Sequence, residues 1–238
     1  MACGRLMFPA VNAFPIRLLS AWFLSATALW AGDAVTPGKP MQLFNGRDFT
    51  GWRFCMRGKA DPAKTWSVAN GMIHCKGRPA GYLRTVGSFT NYELTVEWHF
   101  VKVAPKADNS GILLHIQEPD KVWPACVQVQ GKSGRQGDMF LMAGAEAAEH
   151  RGMDANTPLP FHGPSHEKPV GEWNVIRVVC AGDSVKVFVN GQPANAITAC
   201  TLDSGAIGIQ SEGAELEIRR IVIAPLTSPA DSKASSRR

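Results

Sequence analysis

The feature that most constrains the fold is an alternation of apolar and polar side chains that recurs in short runs. In the run ELTVEWHF, at positions 93–100, every second residue is apolar: Leu94, Val96, Trp98 and Phe100. A period of two places successive side chains on opposite faces of a β-strand. The runs end at Asn-Gly, Ala-Gly-Asp-Ser and Glu-Gly sequences, which are typical of hairpin turns. The chain is therefore predicted to form many short strands.

Helices and repeats contribute little to this pattern. The segment MAGAEAAEHRGM at 142–153 is the best helical candidate, and it is expected to form one turn. We find no internal repeat. Hydrophobic residues make up 45% of the 238 residues, which is enough to bury a core. Short strands at regular spacing predict an all-β fold, a sandwich of two antiparallel sheets.

Residues 1–31 carry the pattern of a secretory signal peptide. Arg5 and Arg17 precede an apolar run at 18–31 that ends in small residues, as signal peptidase sites do. The run is too short to span a bilayer comfortably, so we expect cleavage and export to the periplasm or the cell exterior. An uncleaved anchor is the alternative. No transmembrane helix is expected after cleavage. The remaining chain is expected to divide into a linker at 32–40, a domain at 41–226 and a disordered tail at 227–238.

Charge and cysteine content exclude some classes of function. Cleavage would lower the net charge from +5 to +3, because two arginines and no acidic residue are lost. The basic residues form no stripe and have no interleaved aromatics, so no nucleic-acid partner is expected. Five cysteines would remain, an odd number that leaves at least one free thiol. Cys126 and Cys180 lie in apolar runs and are expected in the core. We do not expect a catalytic thiol.

The polar positions of the alternation are rich in carboxylates, imidazoles and amides. They include Glu97, His99, His115, Gln117, Gln128, Gln130, Gln210 and Glu212. One interpretation is the solvated outer face that antiparallel sheets often have. The other is a groove on a shared polar face, able to form hydrogen bonds with a hydroxyl-rich ligand.

Four motifs, taken in order, carry a resemblance to a known family. They are LFNGRDFTGW at 43–52, NSGILLHIQEPDKVWP at 109–124, GEWNVIRVVCAGDSVKVFVNGQPAN at 171–195 and GAIGIQSEGAELEIRRIVIAPL at 205–226. With them the chain resembles the 3-keto-disaccharide hydrolase domain family. The resemblance implies a concanavalin A-like jelly roll, export, and sugar substrates oxidised at the 3-position. The chain departs from the family pattern at two places: Gln128 replaces a usual Glu, and the motif Ile218-Arg219-Arg220-Ile221 replaces the common Phe-Arg-Asn-Ile.

The implied chemistry requires a base and a stabiliser of negative charge. A ketone at C3 acidifies the proton on C2, so the bond at C1 can break by β-elimination, with hydration afterwards. A base must take that proton, and a donor or cation must stabilise the enolate oxygen. Base or acid candidates are Glu97, His99, His115 and Glu212, and Lys132 is the candidate for the enolate. Candidates for binding sugar hydroxyls are Asn109, Gln117, Gln128, Gln130, Asp138 and Gln210.

Each of these assignments has a structural alternative. Glu97 and His99 could simply pair across strands, and His115 could be a buried sheet histidine. Lys132 and Asp138 lie in a Gly-rich loop and could be turn residues, and Glu212 could be solvated in a hairpin.

Three functions remain open. The first is an exported enzyme that cleaves 3-keto-glycosides by hydrolase or lyase chemistry. The second, favoured by Gln128, is a noncatalytic carbohydrate-binding module, and the third is a cell-envelope interaction domain. All but the last take an oligosaccharide or glycoside as ligand. We assign no metal ligands or cofactor; a divalent metal stays open, and His162 and His166 are weak candidates within a long loop at 143–170 that we interpret as a lid.

Overall fold

The computed structural model describes residues 33–102, 109–154 and 157–227, and these contain fifteen strands and three single-turn 3-10 helices. The strands are β1 Met41–Gln42, β2 Trp52–Met56, β3 Trp66–Ala69, β4 Met72–Cys75, β5 Gly81–Thr85, β6 Phe89–Thr90, β7 Tyr92–Lys102, β8 Gly111–Ile116, β9 Cys126–Gln130, β10 Met139–Met142, β11 Asn174–Ala181, β12 Ser184–Val189, β13 Gln192–Ile197, β14 Ser204–Ser211 and β15 Glu215–Pro225. The 3-10 helices are Arg57–Lys59, Pro62–Lys64 and Ala148–His150.

The predicted signal peptide and nearly all of the predicted tail lie outside the described residues. Within the described ranges, no helix has the length and apolar character needed to cross a membrane. The single helical turn expected in the segment 142–153 is confirmed at Ala148–His150.

The strands form two antiparallel sheets. The first sheet has the order β13-β12-β11-β7-β15-β4-β3, with β1 paired to β15. The second sheet has the order β10-β9-β8-β14-β5-β2, with β6 paired to β14. The chain passes repeatedly from one sheet to the other, so neighbouring strands in a sheet are often far apart in sequence. Residues distant in sequence therefore meet on each face. The predicted all-β sandwich is confirmed.

The core lies between the sheets and is built from the apolar positions of the alternation. Val96 and Trp98 of β7 are fully buried there with Val127 and Val129 of β9. Burial of each such side chain contributes about 1.5–3 kcal/mol to folding. Because both strands turn their apolar side chains toward this core, their polar side chains point away from each other, on opposite outer faces.

A strap formed by residues 117–125 crosses the outer face of the second sheet. Val122 and Trp123 pack there on a small apolar cluster centred on Tyr82 and Leu113. The strap is anchored by Arg84, whose side chain is only 4% exposed. The strap therefore forms a wall on this face.

An ion pair holds the strap to Arg84. Asp120 accepts hydrogen bonds from Arg84 Nε at 2.7 Å and Nη2 at 3.0 Å. Tyr82 Oη also donates to Asp120 Oδ1 at 3.1 Å, and Glu118 accepts from Arg84 Nη2. A buried guanidinium is tolerated only when its donors are satisfied in this way.

The described parts of the long segment 143–170, which are 143–154 and 157–170, pack along the side of the sandwich between β10 and β13. Asn195 Nδ2 donates to the carbonyl oxygens of Leu159 and Pro160 at 3.0 and 3.2 Å. Asp138 Oδ1 accepts from Phe161 N at 2.9 Å, and Leu159 lies in the core. These contacts tie the segment to the strands, which differs from the lid interpretation.

The five cysteines of the described chain are all free thiols. Burial raises the pKa of Cys126 and of Cys180 to about 12, and that of Cys75 to about 11. A thiol with such a pKa stays protonated at neutral pH and is a poor nucleophile. These buried cysteines therefore act as small apolar residues, as expected for Cys126 and Cys180.

Gly131 should tolerate no side chain, because it follows β9 where the Trp98 ring packs against the backbone. A Cβ atom at this position would lie 2.6 Å from Cη2 of Trp98 and 3.1 Å from the carbonyl carbon of Ser110. We expect Gly131→Ala to lower the free energy of unfolding by about 2 kcal/mol through overpacking, measured by urea denaturation. Gly134→Ala, in the same loop with nothing within 4 Å of the added Cβ, is the control. Gly134 has a φ of +76°, which by itself disfavours alanine. A loss of stability in Gly131→Ala no larger than that in Gly134→Ala would therefore contradict overpacking at Gly131.

Candidate functional site

A shallow cavity of about 180 Å³ opens on the outer face of the second sheet. Its floor comes from the central strands, and Trp123 of the strap and Phe140 of β10 lie at its sides. The lining residues are Asn109, Trp123, Gln128, Gln130, Phe140, Leu141, Met142, Gln210 and Glu212.

A glycine on the intervening strand lets the side chains of β9 and β14 meet. Strand β8 lies between them, and its Gly111 is the partner of Gln130 in the register. A Cβ atom on Gly111 would lie 2.9 Å from Gln128 Nε2. Without that Cβ, Gln128 Nε2 reaches across to Gln210 Oε1 at 3.2 Å. The amides of two non-adjacent strands therefore join into one network.

The network leads to a single carboxylate. Gln128 Nε2 donates to Gln130 Oε1 at 3.3 Å and to Gln210 Oε1 at 3.2 Å. Gln210 Nε2 in turn donates to Glu212 Oε2 at 3.0 Å. Asn109 Nδ2 donates to the same oxygen at 2.6 Å. Four amide side chains thus orient Glu212, directly or through one another.

Glu212 has the properties of a positioned base. Burial raises the pKa of its carboxyl above the ordinary value, while Arg57, the hydrogen bond from Asn109 and Arg78 act in the opposite direction. A raised pKa makes the carboxylate a stronger base at neutral pH. Its second oxygen, Oε1, makes no hydrogen bond to any described residue, so it is available to a ligand. Glu212 is also the one acidic side chain among the described residues that line the cavity.

Several groups of the cavity are free to bind a polar ligand. Asn109 Oδ1 is buried and has no hydrogen-bond partner among the described residues. An unpaired buried acceptor costs about 1–3 kcal/mol, so a rotation of the Asn109 side chain that lets a ligand hydroxyl donate to this oxygen would be favourable. Gln130 Nε2 likewise has no acceptor in the described part of the chain. The half-buried rings of Trp123 and Phe140 add apolar surface beside these polar groups.

Sequence reasoning missed the apolar part of this cavity. In β10, the partly buried Phe140 and Met142 alternate with the buried Met139 and Leu141. All four residues are apolar, so the alternation leaves no signal in the sequence. Trp123 precedes β9 outside any strand, and only the strap places it at the cavity.

Glu97 and His99 lie on the opposite side of the molecule, so the prediction of one shared polar face is wrong for them. They belong to β7 of the first sheet, and their side chains point outward from it. His99 Nε2 lies 2.8 Å from Glu217 Oε2, and Arg219 and Arg220 contact Glu97 at 2.8 and 3.0 Å. Burial raises the pKa of Glu97, but the hydrogen bonds from both arginines outweigh it and hold that pKa below the ordinary value. Both side chains are used in cross-strand pairs.

His115 points into the core instead of toward the cavity. Its φ of +54° marks a bulge where β8 shifts register against β14, so the alternation reverses at this residue. The ring packs edge-on against Tyr92 at 5.8 Å, and Nδ1 lies 2.9 Å from the carbonyl oxygen of Leu202. Burial lowers the pKa of His115, so the ring is neutral at pH 7. It cannot reach a ligand in the cavity.

The remaining predicted residues lie outside the cavity. Gln117 Nε2 donates to the carbonyl oxygens of His115 and Ser204 at 2.8 and 2.7 Å, which ends β8. Asp138 is buried and bonded to Arg135 and to the segment 143–170, so its role is structural. Lys132 is an exposed turn residue that does not line the cavity. Of the eleven predicted site residues, the structure brings together Asn109, Gln128, Gln130, Gln210 and Glu212.

The described residues offer no obvious metal centre. No group of three or more His, Cys, Asp and Glu side chains in these ranges is arranged to hold a metal ion. His162 is exposed, and its backbone N–H donates to Ala194.

The comparisons with known proteins agree with this architecture. The model of the 3-keto-alpha-glucoside-1,2-lyase-like domain family matches residues 39–224, nearly the whole described sandwich. The chain belongs to this family. The suspected relationship to the 3-keto-disaccharide hydrolases is therefore confirmed, and it supports a carbohydrate-active protein. No curated protein matches the chain.

Solved structures similar to this lyase-like domain share its fold. A protein from Parabacteroides distasonis, provisionally named a glycosyl hydrolase, has 22% identity and a TM-score of 0.59, covering 79% of this chain and 94% of its own. The carbohydrate-binding module CBM66 from Bacillus subtilis has 10% identity and a TM-score of 0.51, covering 72% and 93%. LamAcat from Zobellia galactanivorans has 12% identity and a TM-score of 0.52, covering 79% and 97%. These likenesses confirm a β-sandwich of the lectin and glucanase type.

Proposed function

We propose that this lyase-like domain cleaves 3-keto-glycosides by elimination across C1 and C2, with Glu212 as the base. The observation that carries the proposal is the carboxylate of Glu212, oriented by Asn109 and Gln210 and left with one free oxygen inside the cavity. Membership of the 3-keto-alpha-glucoside-1,2-lyase-like domain family supports 3-keto-glycosides as the substrate class.

The carboxylate of Glu212 can carry out both proton transfers of the elimination. Glu212 Oε1 takes the proton from C2, and the electron pair of that bond forms an enolate whose charge lies on the C3 oxygen. Gln130 Nε2 is free to donate to that oxygen. When the ketone re-forms, the electron pair moves to make the C1–C2 double bond and the C1–O bond breaks. Protonated Glu212 then returns its proton to the departing oxygen, and water can add to the product afterwards.

The single carboxylate distinguishes this route from ordinary glycoside hydrolysis. Most glycosidases use two carboxyl groups on either side of the scissile bond. The described residues of this cavity provide one, and the other polar side chains are amides. Elimination next to a ketone needs only one base, which a carboxyl with a raised pKa can supply.

A second candidate function is a noncatalytic carbohydrate-binding module. It is favoured by Gln128, an amide at a position where the family usually has a glutamate. Since an amide cannot accept a proton from carbon, a chemistry that needs a base at that position would be lost while hydrogen bonding to sugar hydroxyls would remain.

A product assay on residues 32–238 separates the two functions. A 3-keto-glucoside and its unoxidised parent are incubated side by side, with added divalent metal and with chelator. We expect the keto sugar alone to be converted to an unsaturated or hydrated product, seen by mass spectrometry. Absence of turnover in every condition, with sugar binding that Gln130→Ala abolishes, would contradict elimination and support the binding module.

We also propose that the protein is exported and loses residues 1–31. The arginines and the short apolar run at the N-terminus support this. The mass of the protein recovered outside the cytoplasm measures the cleavage site, and a full-length mass would contradict cleavage.

A further inference from the structure

We propose that a second cavity beside the site binds an anionic group on the leaving part of the glycoside; this deepens the proposed function and rests on it. The basic cleft, as we call this second cavity, has a volume of about 550 Å³. It is formed by the end of β2, the 3-10 helix Arg57–Lys59 and the strap. Its lining includes Met56, Arg57, Lys59, Asp120, Lys121 and Val122.

The charge of the cleft is positive because its cations have no partners. Arg57, Lys59 and Lys121 are exposed, and none of them makes an ion pair or side-chain hydrogen bond with another described residue. The acidic group that lines the cleft, Asp120, is already bound to Arg84 and Tyr82. Three unpaired cations around one concavity attract an anion more strongly than isolated surface charges do.

The cleft adjoins the cavity that holds Glu212. The two share the strap as a wall, with Val122 on the side of the cleft and its neighbour Trp123 on the side of the cavity. Met56 of β2 is the partner of Gly81 in β5, and Gly81 is the partner of Ser211 in β14.

The register places Arg57 level with Glu212. Arg57 directly follows β2, and Glu212 directly follows β14. Because β5 lies between these two strands, the two residues are two strand spacings apart, about 10 Å. The charge of Arg57 also acts on Glu212, whose pKa it lowers against the effect of burial.

A substrate that spans both cavities would have a defined chemistry. Its 3-keto ring would lie over Glu212, and the group bonded to C1 would extend toward the basic cleft. An oxyanion on that group, such as a carboxylate, sulfate or phosphate, would meet Arg57, Lys59 and Lys121. A neutral group would gain nothing from these charges.

The test compares two substrates that differ only in charge. They are the 3-keto-α-glucosides of 4-carboxyphenol and of 4-carbamoylphenol, whose aglycones have nearly the same size. The variant is Arg57→Gln/Lys59→Gln/Lys121→Gln, and the control is Lys39→Gln/Arg47→Gln/Lys186→Gln, which removes the same charge from exposed residues outside the cleft. In each protein the measured quantity is the ratio of kcat/KM for the two substrates, which cancels any effect of Arg57 on Glu212 common to both.

We expect the parent and the control to prefer the carboxylate by about tenfold, as three weak, solvent-exposed charge pairs acting together predict. The preference should fall with added salt and disappear in the cleft variant. Equal rates for the two substrates in the parent, or a preference that survives in the cleft variant, would overturn the anionic site.

The test also separates failure of this inference from failure of the elimination. If neither substrate is turned over, the proposed function is wrong. Calorimetry with the two unoxidised glucosides then decides about the cleft. Tighter binding of the carboxylate that the cleft variant abolishes would uphold the anionic site, and equal affinities would overturn it.

Discussion

Replacing Glu212 with Gln is expected to lower kcat for cleavage of a 3-keto-glycoside by about a thousandfold. The amide keeps an oxygen that can accept the hydrogen bonds from Asn109 and Gln210, but it cannot take the proton from C2. Loss of a general base typically costs a factor of 10²–10⁴. Steady-state kinetics measure the effect, with Glu172→Gln, an exposed residue away from the cavity, as the control.

The pH dependence should identify the same carboxyl. Because the pKa of Glu212 is raised by burial, kcat/KM should fall on the acid side at a pH above the ordinary pKa of a glutamate. This acid limb should be absent from the residual activity of Glu212→Gln. Activity close to that of the parent in this variant would remove Glu212 from the mechanism.

The Glu212→Gln variant is expected to lose activity without losing thermal stability. A carboxyl whose pKa is higher in the folded than in the unfolded state stabilises the fold below its unfolded pKa. That contribution is lost as the pH rises through the folded pKa. At neutral pH the charged Glu212 therefore gains nothing from folding, and Glu212→Gln should have an equal or higher Tm. A Tm lowered to near the assay temperature would indicate that the lost activity reflects unfolding.

Replacing Asp120 with Ala is expected to lower the free energy of unfolding by about 3 kcal/mol, since it leaves a buried cation without its main partner. The side chain of Arg84 is 4% exposed, and Asp120 accepts two of its hydrogen bonds. Glu118, with 51% of its side chain exposed, compensates weakly. Thermal and urea unfolding measure the change.

A double variant provides the control for this ion pair. Arg84→Met/Asp120→Ala buries no charge, so we expect it to recover part of the lost stability. Because Trp123 of the same strap forms a side of the cavity, Asp120→Ala should also weaken sugar binding. A loss below 1 kcal/mol, or a double variant no more stable than Asp120→Ala, would show that this pair does not hold the strap.

Part of the site could be predicted because it depends on local alternation within single strands. Gln128 and Gln130 flank Val129 in β9, and the burial of Val129 forces both amides to the outer face. The same reasoning correctly placed Gln210 on the outer face of β14. The bulge at His115 could not be predicted this way, because one residue in a left-handed conformation reverses the alternation.

The sequence by itself determined most of the strands and turns, many of the apolar core positions and the family, but not β10 or the reversal at His115. These depend on side-chain period, turn chemistry and motif order, which are local along the chain. Only the tertiary structure decided which polar face belongs to which sheet. Glu97 and Gln128 have the same pattern in sequence, yet β7 and β9 belong to different sheets, and the shared core turns their polar faces in opposite directions. Pairing between strands depends on contacts distant in sequence, and these placed Asn109, Gln210 and Glu212 beside β9 and the strap across them.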